Sequence, residues 1–168
     1  MPTTAEAAVT AYVGLGANLA DPRRQLLSAL GHLRDLPRCR LCDHSPLYRT
    51  PPLGVPGQPD YVNAVARLQT TLAPLALLDR LQDIEARMGR VRDGVRWGPR
   101  VIDLDLLLFG DLSLQHPRLQ LPHPEMRHRA FVLVPLADLA PADLAIPGQG
   151  PLAGLLEACD RSGMIRIP

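Results

Sequence analysis

The chain has 168 residues, 46% of them apolar, and a formal net charge of +1. That suffices for one domain with a real core, expected over 1–168, and it argues against disorder. The near-neutral charge excludes bulk attraction to nucleic acid or anionic lipid, so a polyanion would have to meet a local basic cluster.

The opening "MPTTAEAAVTAYV" lacks a basic segment followed by an apolar run, and no stretch reaches the roughly 18 apolar residues of a membrane span. A soluble cytoplasmic protein is expected, with about residues 1–9 a disordered leader. "AYVGLGANL" (11–19) reads as a strand entering a Gly/Asn turn. Asp21 and Pro22 then supply an N-cap and the favoured first helical position. Leu26, Leu27, Leu30 and Leu33 recur at helical spacing, and Pro37 closes that helix. An extended segment (39–49) leads into the loop "TPPLGVPGQPD".

"YVNAVARLQT" (61–70) alternates and predicts a half-buried strand. Pro74 opens a second helix with Leu75, Leu78, Leu81, Ile84 and Met88 on one stripe, and Gly89 ends it. A strand is expected at 101–109, then a hairpin across Gly110-Asp111. From 125 the tail holds one or two helices, broken at Pro135 and around Pro147. The order predicts an α+β, ferredoxin-like βαββαβ core with a largely antiparallel sheet and additional C-terminal helices. Cys39, Cys42 and Cys159 complete neither a disulfide framework nor a zinc site and read as buried or idle thiols.

The chemistry concentrates in "RWGPRVIDLDLLLFG" (96–110). Side chains two apart on a strand share a face, so Asp103 and Asp105 point together while Ile102, Leu104 and Leu106 point away. Two carboxylates at that range repel unless a divalent metal, arginine partners or a retained proton relieves them. The preceding loop carries Arg90, Arg92, Arg96 and Arg100 among Gly89, Gly94 and Gly98, with Trp97 as a flat apolar lid. Guanidinium forks match phosphate oxygens, and magnesium combines one or two carboxylates with substrate phosphates. Metal plus arginines on a polyphosphate uses both features; a solvated face with arginine pairs is the plainer reading. Tyr61 and Asn63 share a strand face and suit a heterocycle pocket, or an ordinary structural pair. The phosphate-binding pattern GxxxxGK followed by Ser or Thr is missing, and "GLGAN" does not make a dinucleotide fingerprint.

Together "YVGLGANL", "YRTPPLGVPGQPDYVNAV", "GRVRDGVRWGPRVIDLDLLLFG" and "LPHPEMRHRAFVLVPL" resemble the 6-hydroxymethyl-7,8-dihydropterin pyrophosphokinase family over about 12–141. The resemblance implies a ferredoxin-like fold and transfer of pyrophosphate from ATP to the pterin hydroxymethyl group, releasing AMP. It implies two Mg2+ ions held by Asp103 and Asp105, and a pterin stacked between Tyr61 and Phe131 and read by Asn63. Thr50 and Leu53 would contact the pterin through their main chain. Gln82 and Glu85 would lie near the nucleotide and pterin sites. Arg90, Arg92 and Trp97 would close over the substrates, with Arg92 also toward the nucleotide. Arg100, Arg118, His123 and Arg129 would contact ATP or its phosphates. Asp93, Gln120 and Pro124 depart from the family's usual residues, which bears on nucleotide affinity rather than on the reaction. No nucleic-acid or membrane partner is expected; a monomer is, with a dimer as the alternative. The rival classes are an RNA-binding module, for which strand-centre aromatics are too few, and a ligand-sensing domain that never turns over.

Overall fold

The computed structural model describes residues 7–52, 57–89 and 101–168. β1 (Val9–Ala17) begins where the leader was expected to end, and Val9 pairs with Thr70. α1 (Pro22–Arg34) starts as predicted: the Asp21 carboxylate accepts the N–H of Arg24, and Pro22 takes the first position. Leu26, Ala29, Leu30 and Leu33 fall at i, i+3, i+4 and i+7 on one helix face and are buried.

The extended segment divides into β2 (Cys39–His44) and β3 (Leu47–Thr50), both paired with β4 (Tyr61–Thr70). Pro46 has no N–H for the ladder. Ser45 spans the gap: its N–H donates to the Val65 carbonyl at 2.8 Å, and its hydroxyl accepts the Val65 N–H at 2.9 Å. α2 (Pro74–Arg87) buries Leu77, Leu78, Leu81, Ile84 and also Glu85. β5 (Asp103–Phe109) completes the sheet, in which β3, β4, β1 and β5 lie in that order with every pairing antiparallel. This is the expected ferredoxin-like arrangement, with the β2/β3 pair as its second strand.

Two expectations about the tail need correction. No hairpin forms across Gly110-Asp111. The Gly110 N–H instead bonds the Thr10 carbonyl at 2.7 Å, and β6 (Leu114–His116) pairs with β7 (Leu119–Leu121) as a separate two-stranded sheet. α3 (Ala130–Leu139) also runs through Pro135. An interior proline costs about 3 kcal/mol. Burial of Val132, Leu133 and Leu136, about 1.5–3 kcal/mol each, offsets that cost. β8 (Ala145–Ile146), β9 (Gly150–Pro151), α4 (Leu152–Ala158) and β10 (Ile165–Ile167) follow, β10 pairing with β3.

β4 is buried along one face, as expected, and its second face is covered in addition at Asn63 and Val65. Val62, Ala64, Ala66 and Leu68 join the core under α1 and α2, whereas Val65 joins a second cluster with Tyr12, Leu107, Leu108, Met126, Leu133 and Leu136. α3 packs across β4 and β3 to close that second layer. The layer covers only one half of its sheet face. The other half carries Gly16, Tyr61, Asn63, Asp103 and Asp105.

β5 keeps this division by means of a bulge. Leu108 pairs with Tyr12 and Leu106 with Val13, so Leu107 is an extra residue. Leu107 and Leu108 both join the α3 layer, and Phe109 returns to the α1/α2 core.

Candidate active site

The site is organised by Gly16. It pairs with Asp103 on one side and Asn63 on the other, and Gly14 pairs likewise with Asp105 and Val65. Directly paired residues share a face, so both aspartates and Asn63 project from the same side of the sheet. A Cβ on Gly16 would lie 2.7 Å from the Asn63 Oδ1, closer than such atoms approach. The glycine therefore makes room for the amide.

Asn63 is 5% exposed and its Nδ2 donates to the Thr50 hydroxyl at 2.7 Å. Thr50 is paired across the strands with Tyr61, whose ring approaches within 4.0 Å of the same notional Cβ. Gly16, Thr50, Tyr61 and Asn63 thus form one cluster. The buried Asn18 amide holds the loop before β4, donating to Gln58 Oε1 at 3.0 Å and to the Pro59 carbonyl at 3.2 Å.

Phe131 stands in the first turn of α3, partly buried against the second layer, with the Arg129 guanidinium 5.6 Å above its ring centre. His123 leaves β7 with its N–H on the Leu107 carbonyl at 2.9 Å and its own carbonyl accepting Gln149 Nε2 at 3.0 Å. Its Nδ1 accepts the Glu125 N–H at 3.2 Å, which assigns the ring proton to Nε2. Burial, reinforced by the Arg129 charge, lowers this imidazole to about 4 against opposing pulls from Glu125 and Asp103. The ring is neutral at physiological pH.

Arg118 lies in the turn between β6 and β7 and donates to Asp79 at 2.5 Å and to Gln82 at 3.4 Å, both on α2. Two of the expected nucleotide contacts are therefore bonded to each other. Glu85, from the same helix, is 3% exposed and its Oε2 accepts the Leu104 N–H at 2.9 Å. Leu53, Arg90, Arg92, Trp97 and Arg100 lie outside the described residues.

Asp103 and Asp105 are partly buried, hard-oxygen donors opposite two glycines, a set that fits magnesium. Among the described residues no cluster of three or more His, Cys, Asp or Glu is assembled, which suits an ion that completes its shell with water and substrate oxygens. A cavity of about 330 Å³ lies at the far end of β1, lined by Val9, Arg38, Thr70, Ala73 and Phe109, and contains none of these groups. All three cysteines are free thiols. Cys39 is raised by burial, which makes it a poor nucleophile.

Residues 12–141 match the family described as 7,8-dihydro-6-hydroxymethylpterin-pyrophosphokinase (HPPK). The chain belongs to the HPPK family. It is 57% identical over 157 residues to the 2-amino-4-hydroxy-6-hydroxymethyldihydropteridine pyrophosphokinase of Pseudomonas aeruginosa, covering 94% of this chain and 96% of that protein. The Haemophilus influenzae protein of the same name is 45% identical over 159 residues, covering 95% and 98%. A crystal structure of Plasmodium falciparum HPPK-DHPS superposes with a TM-score of 0.71 at 16% identity, over 92% of this chain. The chain spans 44% of that longer polypeptide, and at this identity the likeness speaks to fold alone.

Within the HPPK frame, sequence reasoning had not singled out Gly16, Asn18, Tyr48 or Gln149. A glycine inside an alternating strand was a usable signal for Gly16, since it marks close approach. The partners of the other three are remote in sequence and left no local trace.

Proposed function

We propose that the chain transfers the pyrophosphoryl group of ATP to the hydroxymethyl oxygen of 6-hydroxymethyl-7,8-dihydropterin, giving the pterin diphosphate and AMP. The observation that supports this best is the row Asp103–Gly16–Asn63 across three strands. It sets one carboxylate and a buried amide side by side on the open half of one sheet face, with Asp105 following opposite Gly14.

In this reading Asn63, fixed by Thr50, presents its carbonyl oxygen to the donor edge of the pterin. Tyr61 and Phe131 supply the apolar faces above and below the ring. Asp103 and Asp105 would hold two magnesium ions, whose chemistry there is to neutralise triphosphate charge and favour the alkoxide. His123, as a neutral Nε2–H donor, and Arg129 face the phosphates, while Arg118 and Gln82 take the nucleoside side. Arg90, Arg92, Trp97 and Arg100 complete the reading from sequence alone, as the segment that excludes water. Leu53 belongs to the pterin side on the same basis. The chemistry demands alignment and charge stabilisation more than covalent catalysis. A cytoplasmic monomer with no nucleic-acid or membrane partner belongs to the same proposal; among the described residues no helix is long and apolar enough to cross a membrane.

AMP formation from ATP tests it. The expected result is turnover that requires the reduced pterin and Mg2+ together. Asp105→Ala, with an unchanged melting temperature, should lose about 2–4 kcal/mol of transition-state stabilisation, roughly 30- to 1000-fold in rate. Pterin-independent ATP cleavage, or near-normal turnover in that variant, would refute the assignment.

A further inference from the structure

The proposed pterin pocket has walls in two layers. Thr50, Tyr61 and Asn63 belong to the sheet, whereas Phe131 belongs to the first turn of α3. Strand pairing fixes the first wall and does nothing for the second.

The first turn of α3 has no side-chain cap. Its N-cap, Arg129, makes no capping hydrogen bond and lies over the Phe131 ring, and Pro135 offers no N–H to the Phe131 carbonyl four residues earlier. Apolar packing on Val65, Leu107 and Tyr12 holds the helix down, but such packing is non-directional. Two directional restraints lie in the last turn. Asp138 Oδ2 accepts the Tyr48 hydroxyl at 2.5 Å, and Arg67 Nη1 donates to the Leu139 carbonyl at 3.2 Å.

Tyr48 is well placed to couple the two walls. It is 8% exposed, stands directly across from Asn63 in the β3–β4 pairing, and lies two residues before Thr50 on the same strand. β3 therefore fixes the Asn63 amide through Thr50 and the α3 helix through Tyr48. We infer that Tyr48 and Asp138 are positioning residues: their hydrogen bond sets the distance between Phe131 and the Tyr61–Asn63 wall, and so sets affinity for the flat heterocycle without touching it. Burial, with Asp138 adding to it, pushes the Tyr48 hydroxyl up to about 12, so it remains a donor across the working pH range.

This rests on the pterin reading above, and the test separates the two. Steady-state kinetics for each substrate and a melting temperature are measured for wild type, Tyr48→Phe, Asp138→Ala and Asp138→Asn. Breaking the bond should raise KM for the reduced pterin about tenfold, equivalent to about 1.4 kcal/mol, while KM for ATP stays within about twofold. Asp138→Asn keeps an acceptor oxygen and should restore most of the pterin affinity. Asp138 is exposed, so its variants fold even if Tyr48→Phe does not. An unchanged pterin KM, a parallel rise in both KM values tracking the loss of melting temperature, or no rescue by Asp138→Asn overturns the strut. A wild-type chain that forms no AMP overturns the pterin reading instead.

Discussion

Glu85 accepts the backbone N–H of Leu104 at 2.9 Å, and Leu104 stands between Asp103 and Asp105. β5 closes one end of the strand order, where backbone groups lack a further strand to bond. A carboxylate from α2 satisfies one of them and ties the helix to the strand that carries the acids.

Glu85→Ala should leave that buried N–H without an acceptor and cost about 1–3 kcal/mol of folding stability, read by urea denaturation. The same variant should need more Mg2+ for half-maximal turnover, because the strand presenting the aspartates is loosened. Glu85→Gln retains an acceptor oxygen and should fall between. Wild-type stability and Mg2+ dependence in the alanine variant would count against this account.

Gly16→Ala inserts a methyl group 2.7 Å from the Asn63 Oδ1. Asn63 must move and its bond to Thr50 must lengthen, an overpacking cost of about 1–3 kcal/mol. The expected signature is a raised KM for the pterin with a smaller change for ATP, alongside a lowered melting temperature. Equal effects on both substrates would argue that the contact is structural only.

His123 gives a pH prediction with a definite sign. Its folded value of about 4 lies below the ordinary value of 6.5, so between them the unfolded chain binds more protons than the native one. Its contribution is intact above 6.5 and lost as pH falls through 4, with a slope of at most about 1.4 kcal/mol per pH unit. Denaturation of the metal-free chain should show this slope, and His123→Gln should flatten it. Parallel profiles for the two chains would dismiss the buried neutral imidazole.

Asp79 holds the Arg118 guanidinium that the proposed function turns toward the nucleotide. Both side chains are nearly half exposed, so the ion pair is worth about 0–1 kcal/mol. Asp79→Ala should therefore lower KM for ATP by up to about fivefold and leave the pterin KM alone. A higher ATP KM would show that Asp79 instead holds Arg118 in its working orientation.

Much of this was legible in the chain itself. Capping at Asp21-Pro22, the leucine spacing of both early helices, and the spacing of Asp103 and Asp105 each follow from local rules, and together they yield the element order. Glu85 was half legible: it sits four residues after Leu81, on the apolar stripe, where a charge needs a partner. That the partner is a strand N–H is a tertiary fact. Pro135 misled because helix breaking is a local rule, and here burial in the second layer outweighs it. The alternation of 61–70 implied one wet face for the same reason, since the α3 helix that covers part of it lies 60 or more positions further along the chain. Tyr48 and Asp138, separated by 90 positions, could be joined only by the fold.

The extra residue in β5 does more than bend a strand. Leu107 leans over Gly14, its methyl carbons 3.5 Å from where a Cβ would sit, at the line where the dry half of the sheet face gives way to the open one. Deleting it would restore plain alternation and leave both acids aimed as they are. The damage would fall on the bulkhead: water would gain a seam from the reaction chamber toward the packing beneath α3, and a chain with its charges correctly arrayed would leak.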